Sequence, residues 1–188
     1  MQLNVNRFFY LMLLFFISCN NTKQKVNFQE SDKTKIFFEK DILAEQLLVN
    51  IEIKNNKFEK VVDKKSEEIT YKYESELWKK NKLIGSFASS YYVYPFSNID
   101  EMEIYFLAYI VGHKYGEVTT PNFRYERNNR FKLPYKEYQV YEIIVNDSIS
   151  FGYNFNILKD NKIIFISIII KDKFKIEIDK ITKRIDEI

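Results

Sequence analysis

Residues 163–170 read IIFISIII, apolar at odd and even positions alike. A strand carries such a run only where both faces of its sheet are covered. Two further runs, 138–145 and 149–158, precede it, separated by the polar turns Asn146-Asp147-Ser148 and Lys159-Asp160-Asn161. Connections this short join antiparallel neighbours. The last third of the chain therefore predicts a three-stranded meander with 163–170 in mid-sheet. The second strand is aromatic on one face only, through Phe151, Tyr153 and Phe155. A closing helix over about residues 174–187 places Ile178, Ile181, Ile185 and Ile188 on one stripe.

Upstream, Leu47, Val49, Ile51 and Ile53 alternate with polar residues, and Asn55-Asn56 offers a turn into residues 58–62, which predicts a hairpin. Residues 41–48 also fit a short helix beginning at Asp41. Ile69, Tyr71 and Tyr73 mark a half-buried strand, residues 79–82 its turn, and 83–94 the return strand, which ends at Pro95. Trp78, beside that turn, is expected to pack in the core. Asn98 with Glu101 caps a helix whose Ile99, Met102, Phe106, Leu107 and Ile110 recur at helical spacing up to Gly112. The expected class is α+β: a mainly antiparallel sheet with a mid-chain helix and a C-terminal helix packed on it. It forms a single domain over residues 35–188.

The N terminus is organised differently. A polar start with Arg7, an apolar run over residues 8–17, small Ser18 and then Cys19 form the layout of a secretory signal. Such a run reaches only about 15 Å as a helix, half of the ~30 Å hydrocarbon core. Phe16-Ile17-Ser18-Cys19 resembles the lipobox of bacterial lipoproteins. That resemblance implies cleavage after residue 18, a diacylglyceryl thioether on Cys19, and a chain anchored to a membrane without spanning it. Residues 1–18 are then a signal peptide and residues 19–34 a lipidated flexible tether. Residues 20–25, just after Cys19, lack acids, and by the same resemblance the expected address is the outer membrane, with the domain facing the periplasm.

Composition narrows the partners. Removing Arg7 leaves 28 basic residues against 26 acidic ones, and so near-neutral a chain does not suit nucleic acid, whose binding rests on a one-signed basic surface. Cys19 is the only cysteine, so no thiol remains for a disulfide or a nucleophile, while 17 Phe and 14 Tyr supply the core.

Catalytic signatures are sparse. There is no nucleotide-binding loop, zinc-ligand spacing or nucleophile elbow, and no cofactor or metal is expected. His113, the only histidine, follows the predicted helix and reads as a C-terminal capping residue. Glu67, Glu68, Glu74 and Glu76 offer carboxylate pairs of glycosidase type, but they lie among lysines on an alternating strand, where solvated charges are the expected outward face.

One departure from background stands out. The chain has 24 Lys and 5 Arg, and three of the arginines are Arg124, Arg127 and Arg130, interleaved with Phe123, Tyr125, Phe131 and Tyr135. Guanidinium forks hold carboxylate or phosphate groups and stack on aromatic rings in ways lysine does not. Arg124, Arg127, Arg130 and Tyr125 are therefore the candidate site for an anion or a protein partner, and pairing with Glu126 and other surface acids is the plainer account. Asp147-Ser148-Ile149 resembles the O-glycosylation sequon of Bacteroidota, which would make Ser148 a modified residue; turn chemistry also accounts for a serine there.

The order of elements, a meander followed by a terminal helix in a small exported lipoprotein, resembles the Mog1/PsbP-type sheet with helices packed on it. That resemblance implies an accessory or binding module and brings no catalytic residues with it. The expected function is a lipid-anchored, non-catalytic envelope module that binds a protein or an anionic envelope component. The alternatives are a carboxylate-dependent envelope hydrolase and an immunity-type lipoprotein that sequesters a toxin.

Overall fold

The computed structural model describes residues 23–94, 102–104, 106–107, 123–145, 149–171 and 174–188. Its frame is an eight-stranded, wholly antiparallel sheet. The strands are β1 (Lys23–Val26), β2 (Glu52–Asp63), β3 (Ile69–Lys79), β4 (Lys82–Val93), β5 (Phe123–Arg127), β6 (Glu137–Val145), β7 (Ile149–Lys159) and β8 (Lys162–Ile170). Their order, β1-β2-β3-β4-β8-β7-β6-β5, is that of two meanders joined through their last strands. The helical elements whose bounds are described are two 3-10 turns (Glu30–Lys35 and Glu39–Asp41), α1 (Glu45–Leu48) and the C-terminal α2 (Ile178–Asp186), and residues 102–104 and 106–107 are helical as well. Among the described residues no helix is long and apolar enough to cross a membrane.

Turn chemistry sets the hairpins. Lys80 and Asn81 both take positive φ, 49° and 60°, in the two-residue loop between β3 and β4, the geometry whose twist matches that of the flanking strands. Asp160 does the same at φ 53° between β7 and β8. The expected meander is present, and β8 lies between β4 and β7.

One face of the sheet carries the main core. Tyr71, Tyr73 and Leu77 of β3, Phe87 of β4, Ile164, Ile166, Ile168 and Ile170 of β8, and Phe155 and Ile157 of β7 form one buried cluster with Ile181 and Ile185 of α2. We call this the inner face. Lys159 and Lys162, from the β7–β8 corner, donate to the carbonyl oxygens of Ile185 and Ile188 at 2.9 and 2.8 Å. Cations thus meet the unsatisfied carbonyls at the helix C terminus. The opposite, outer face is covered over a smaller area: Ile163 and Leu158 pack with Tyr94 and the helical residues Met102 and Phe106. Phe165, Ser167 and Ile169 are only partly buried, so the apolar run of β8 is fully covered on one face and incompletely on the other. The rest of the expected mid-chain helix lies outside the described residues.

Three expectations are corrected. The stretch assigned to a tether holds folded structure from Lys23 onward, because β1 pairs with Lys60–Asp63 of β2 and Phe28 packs on Phe58 at 5.0 Å between ring centroids. Asp32, in the same stretch, is buried; it accepts the Gln29 amide at 3.0 Å and pairs with Lys35 and Lys60 at 3.3 and 3.4 Å. Second, Asn55-Asn56 does not turn the chain. The residues on both sides pair with β3, Lys54 with Glu76 and Lys57 with Glu74, so Asn55 at φ 54° sits in a bulge of one continuous strand. Of residues 41–48, read either as the approach to that hairpin or as a short helix, 45–48 form the helix α1. Third, Trp78 is half-buried outside the core clusters, donating from Nε1 to Glu76 at 2.8 Å beneath the Lys54 ammonium.

Candidate functional site

Among the described residues a cleft of about 180 Å3 opens on the outer face. Register builds it. Ala88 of β4, Ser167 of β8 and Asn154 of β7 lie side by side in one row across the sheet, and Ser90, Phe165 and Asn156 form the next row. Tyr125 of β5 closes one end. Ser89, Phe155 and Ile166 line the cleft from the alternate positions. Ser89 donates its hydroxyl to the Phe37 carbonyl at 2.8 Å, and Phe155 and Ile166 belong to the inner core, so these three contribute backbone to the outer face. Small side chains over three adjacent central strands, walled by Phe165 and Tyr125, account for the depression.

The polarity of this floor runs against sheet energetics. Asparagine and serine are poor fillers of central strands, where β-branched and aromatic residues pack best. Asn156 is 8% exposed, and Asn154 keeps its Oδ1 buried with no hydrogen-bond partner among the described residues. An unmet buried acceptor costs about 1–3 kcal/mol. Local choices that oppose the fold in this way concentrate at functional sites.

Beside the floor, Tyr141 stands opposite Asn154, and Arg127 opposite Tyr141. Burial pushes the Tyr141 phenol up, and the Arg127 charge partly offsets this; the phenol donates to Gln139 Oε1. Arg127 therefore sits on the row of Asn154, two positions from the floor, with its own side chain exposed. Among the described residues the cleft is lined by neutral amides, hydroxyls and apolar groups, with Arg127 toward the sheet edge.

The predicted site residues separate. Tyr125 lines the cleft. Arg124 and Arg127 both lie on β5, where Arg127 is exposed. Arg130 is exposed in the segment after β5, where its amide donates to Asn128 Oδ1 at 2.9 Å. Cys19, His113 and Ser148 lie outside the described residues. Glu76, from the carboxylate pairs, accepts from Asn55 and Trp78 at 2.7 and 2.8 Å. Among the described residues no group of three or more His, Cys, Asp or Glu is placed to hold a metal ion.

Sequence reasoning missed two sets of residues. The cleft floor is one; its only linear trace is Asn154 and Asn156 two positions apart on a strand otherwise rich in aromatics. The other is Arg184, whose guanidinium donates to the carbonyl oxygens of Thr34 and Ile36 at 2.8 and 3.2 Å and to Glu187 at 3.2 Å. Its Nε lies 3.7 Å from Asp41. The most engaged described arginine lies outside the cluster that composition singled out. The chain matches no protein-family model, no curated protein and no solved structure.

Proposed function

We propose that the protein is a lipid-anchored, periplasm-facing envelope lipoprotein that acts as a non-catalytic binding module, with the outer-face cleft as its binding site. The observation that carries the binding role is the unmet Asn154 acceptor among neutral amides and hydroxyls. Such groups recognise a ligand and lack the perturbed acid or base that chemistry at a bond requires. The membrane attachment rests on the lipobox-like tetrapeptide ending at Cys19.

Two measurements test this reading together. Mass spectrometry of the native protein should find Cys19 acylated at the amino terminus, and Cys19→Ala should leave the precursor uncut; an unmodified Cys19 on the mature chain would overturn the anchor. Ser167→Trp, which fills the cleft from the middle of its floor, should abolish capture of envelope components while the chain melts as a folded domain. Unchanged capture by a folded Ser167→Trp protein would overturn the cleft as the binding site.

A further inference from the structure

We propose that the outer-face cleft takes one ring of an uncharged carbohydrate, a neutral sugar unit of an envelope glycan. This rests on the reading of the chain as a binding module and specifies what that module binds.

Four observations converge on a neutral sugar. The first is the unmet acceptor: Asn154 Oδ1 needs a donor, and rotation about χ2, a soft torsion, presents either end of the amide to the cleft. The second is the character of the other groups. Ser90, Ser167 and Tyr125 carry hydroxyls and Asn156 an amide, so each both donates and accepts, as every sugar hydroxyl does. The third is that none of the described lining residues carries a charge. An ionised ligand would give up its hydration without a counter-charge in return, a cost that keeps ions out of such sites. Arg127, two positions along the row, is exposed to solvent and lies outside the floor. The fourth is size: 180 Å3 is room for about six waters, the scale of one pyranose ring. Phe165 supplies an apolar wall for the C–H face that a pyranose presents beside its hydroxyls.

A peptide fits the same place less well. Extended peptides gain their affinity from backbone hydrogen bonds at a free sheet edge. The cleft instead lies over β4, β8 and β7, each already paired on both sides. What remains available is side-chain recognition of a compact, hydroxyl-rich ring.

The test uses the full-length chain in a sugar-free detergent, with glucose, galactose, mannose and N-acetylglucosamine as neutral probes and glucuronate and glucosamine as charged ones. Saturation-transfer NMR and calorimetry should find at least one neutral sugar bound with a Kd of about 1 mM, as expected for a single small ring. The charged analogues should bind at least about tenfold more weakly. Asn154→Leu should lose binding by about tenfold or more while its melting temperature stays level or rises, because the variant removes an unmet polar group. Ser167→Trp gives a second loss that does not depend on the amide.

No neutral sugar bound, glucuronate bound more tightly than glucose, or an Asn154→Leu protein that binds as the parent does would each overturn the proposal. Sugars that fail to bind, combined with capture of an envelope component lost in Ser167→Trp, would remove the carbohydrate and leave the binding module standing. Failure of both would remove both.

Discussion

Arg184, near the C terminus, donates its guanidinium to the carbonyl oxygen of Thr34 at 2.8 Å, so the last helix clasps the first turns of the domain. The same group reaches Ile36 and lies near Asp41, and both 3-10 turns are thereby held against α2. Each turn is also capped from within, since Asp32 accepts the Gln29 amide at 3.0 Å and Asp41 the Phe38 amide at 2.7 Å. Arg184→Ala should lower stability by about 2 kcal/mol, the scale of hydrogen bonds made by a charged group. Arg184→Lys should recover little of it, because one ammonium cannot replace a planar fork spanning several carbonyls. Urea unfolding of the two variants checks this; full rescue by lysine would show that charge alone is what holds the clasp.

Asp32 should set an acid limit on stability. Burial pushes its carboxyl up, but the Gln29 amide and the Lys35 and Lys60 ammonium groups more than offset this, and the net shift is below its ordinary value of 3.8. A carboxyl lowered in the fold contributes stability that is present above its unfolded value and is lost as pH falls through the folded one. Asp32→Asn should therefore cost about 1–3 kcal/mol at neutral pH. Parent and variant should converge as pH falls below the ordinary value of 3.8 and on through the lowered folded one, and melting curves from neutral to acid pH check it. A gap that persists unchanged into strong acid would mean that packing, and not charge, accounts for the loss.

Gly85 and Gly152 flank β8 from its two sides. A methyl group at Gly85 would lie 1.9 Å from the Ile169 carbonyl oxygen, and one at Gly152 would lie 1.8 Å from that of Ile168. Both are backbone atoms of a central strand with no freedom to move aside. Each glycine also adjoins a register shift, between Leu77 and Trp78 for β3–β4 and between Ile143 and Ile144 for β6–β7, the combination that bends a sheet. Gly85→Ala and Gly152→Ala should each destabilise by about 2–3 kcal/mol. Denaturant midpoints measure this, and a neutral effect at either site would mean that the strands are not pinned there.

Much of the fold was legible where two signals coincided. β3 and β7 show alternation in their letters and β8 an unbroken apolar run, and Asn81 and Asp160 mark the corners of the two hairpins with residues that tolerate positive φ. The N-terminal elements were not legible for a physical reason: Lys23–Val26 is a strand only because β2 offers it a partner, and Asp32 is buried only because Lys35 and Lys60 meet it. Asn55 misled because a tight turn and a bulge ask for the same left-handed asparagine. The cleft was hidden more deeply. Ala88, Ser90, Asn154, Asn156 and Ser167 come from three strands, and only the β4–β8–β7 register sets them together. Tyr125 was reached for another reason, its place among the arginines.

The join between β4 and β8 carries a consequence for how the molecule comes into being. The strand at the middle of the sheet is the last one synthesised, and its partner β4 belongs to the first half of the chain. A chain delivered from its N terminus holds β4 as an open edge until residues 162–170 arrive, and pairings so distant in sequence form slowly. During that interval the molecule presents the kind of unpaired strand that templates aggregation. Its period of greatest vulnerability is thus its own synthesis, and a chaperone that shields β4 would have to stay bound until residues 162–170 have been made.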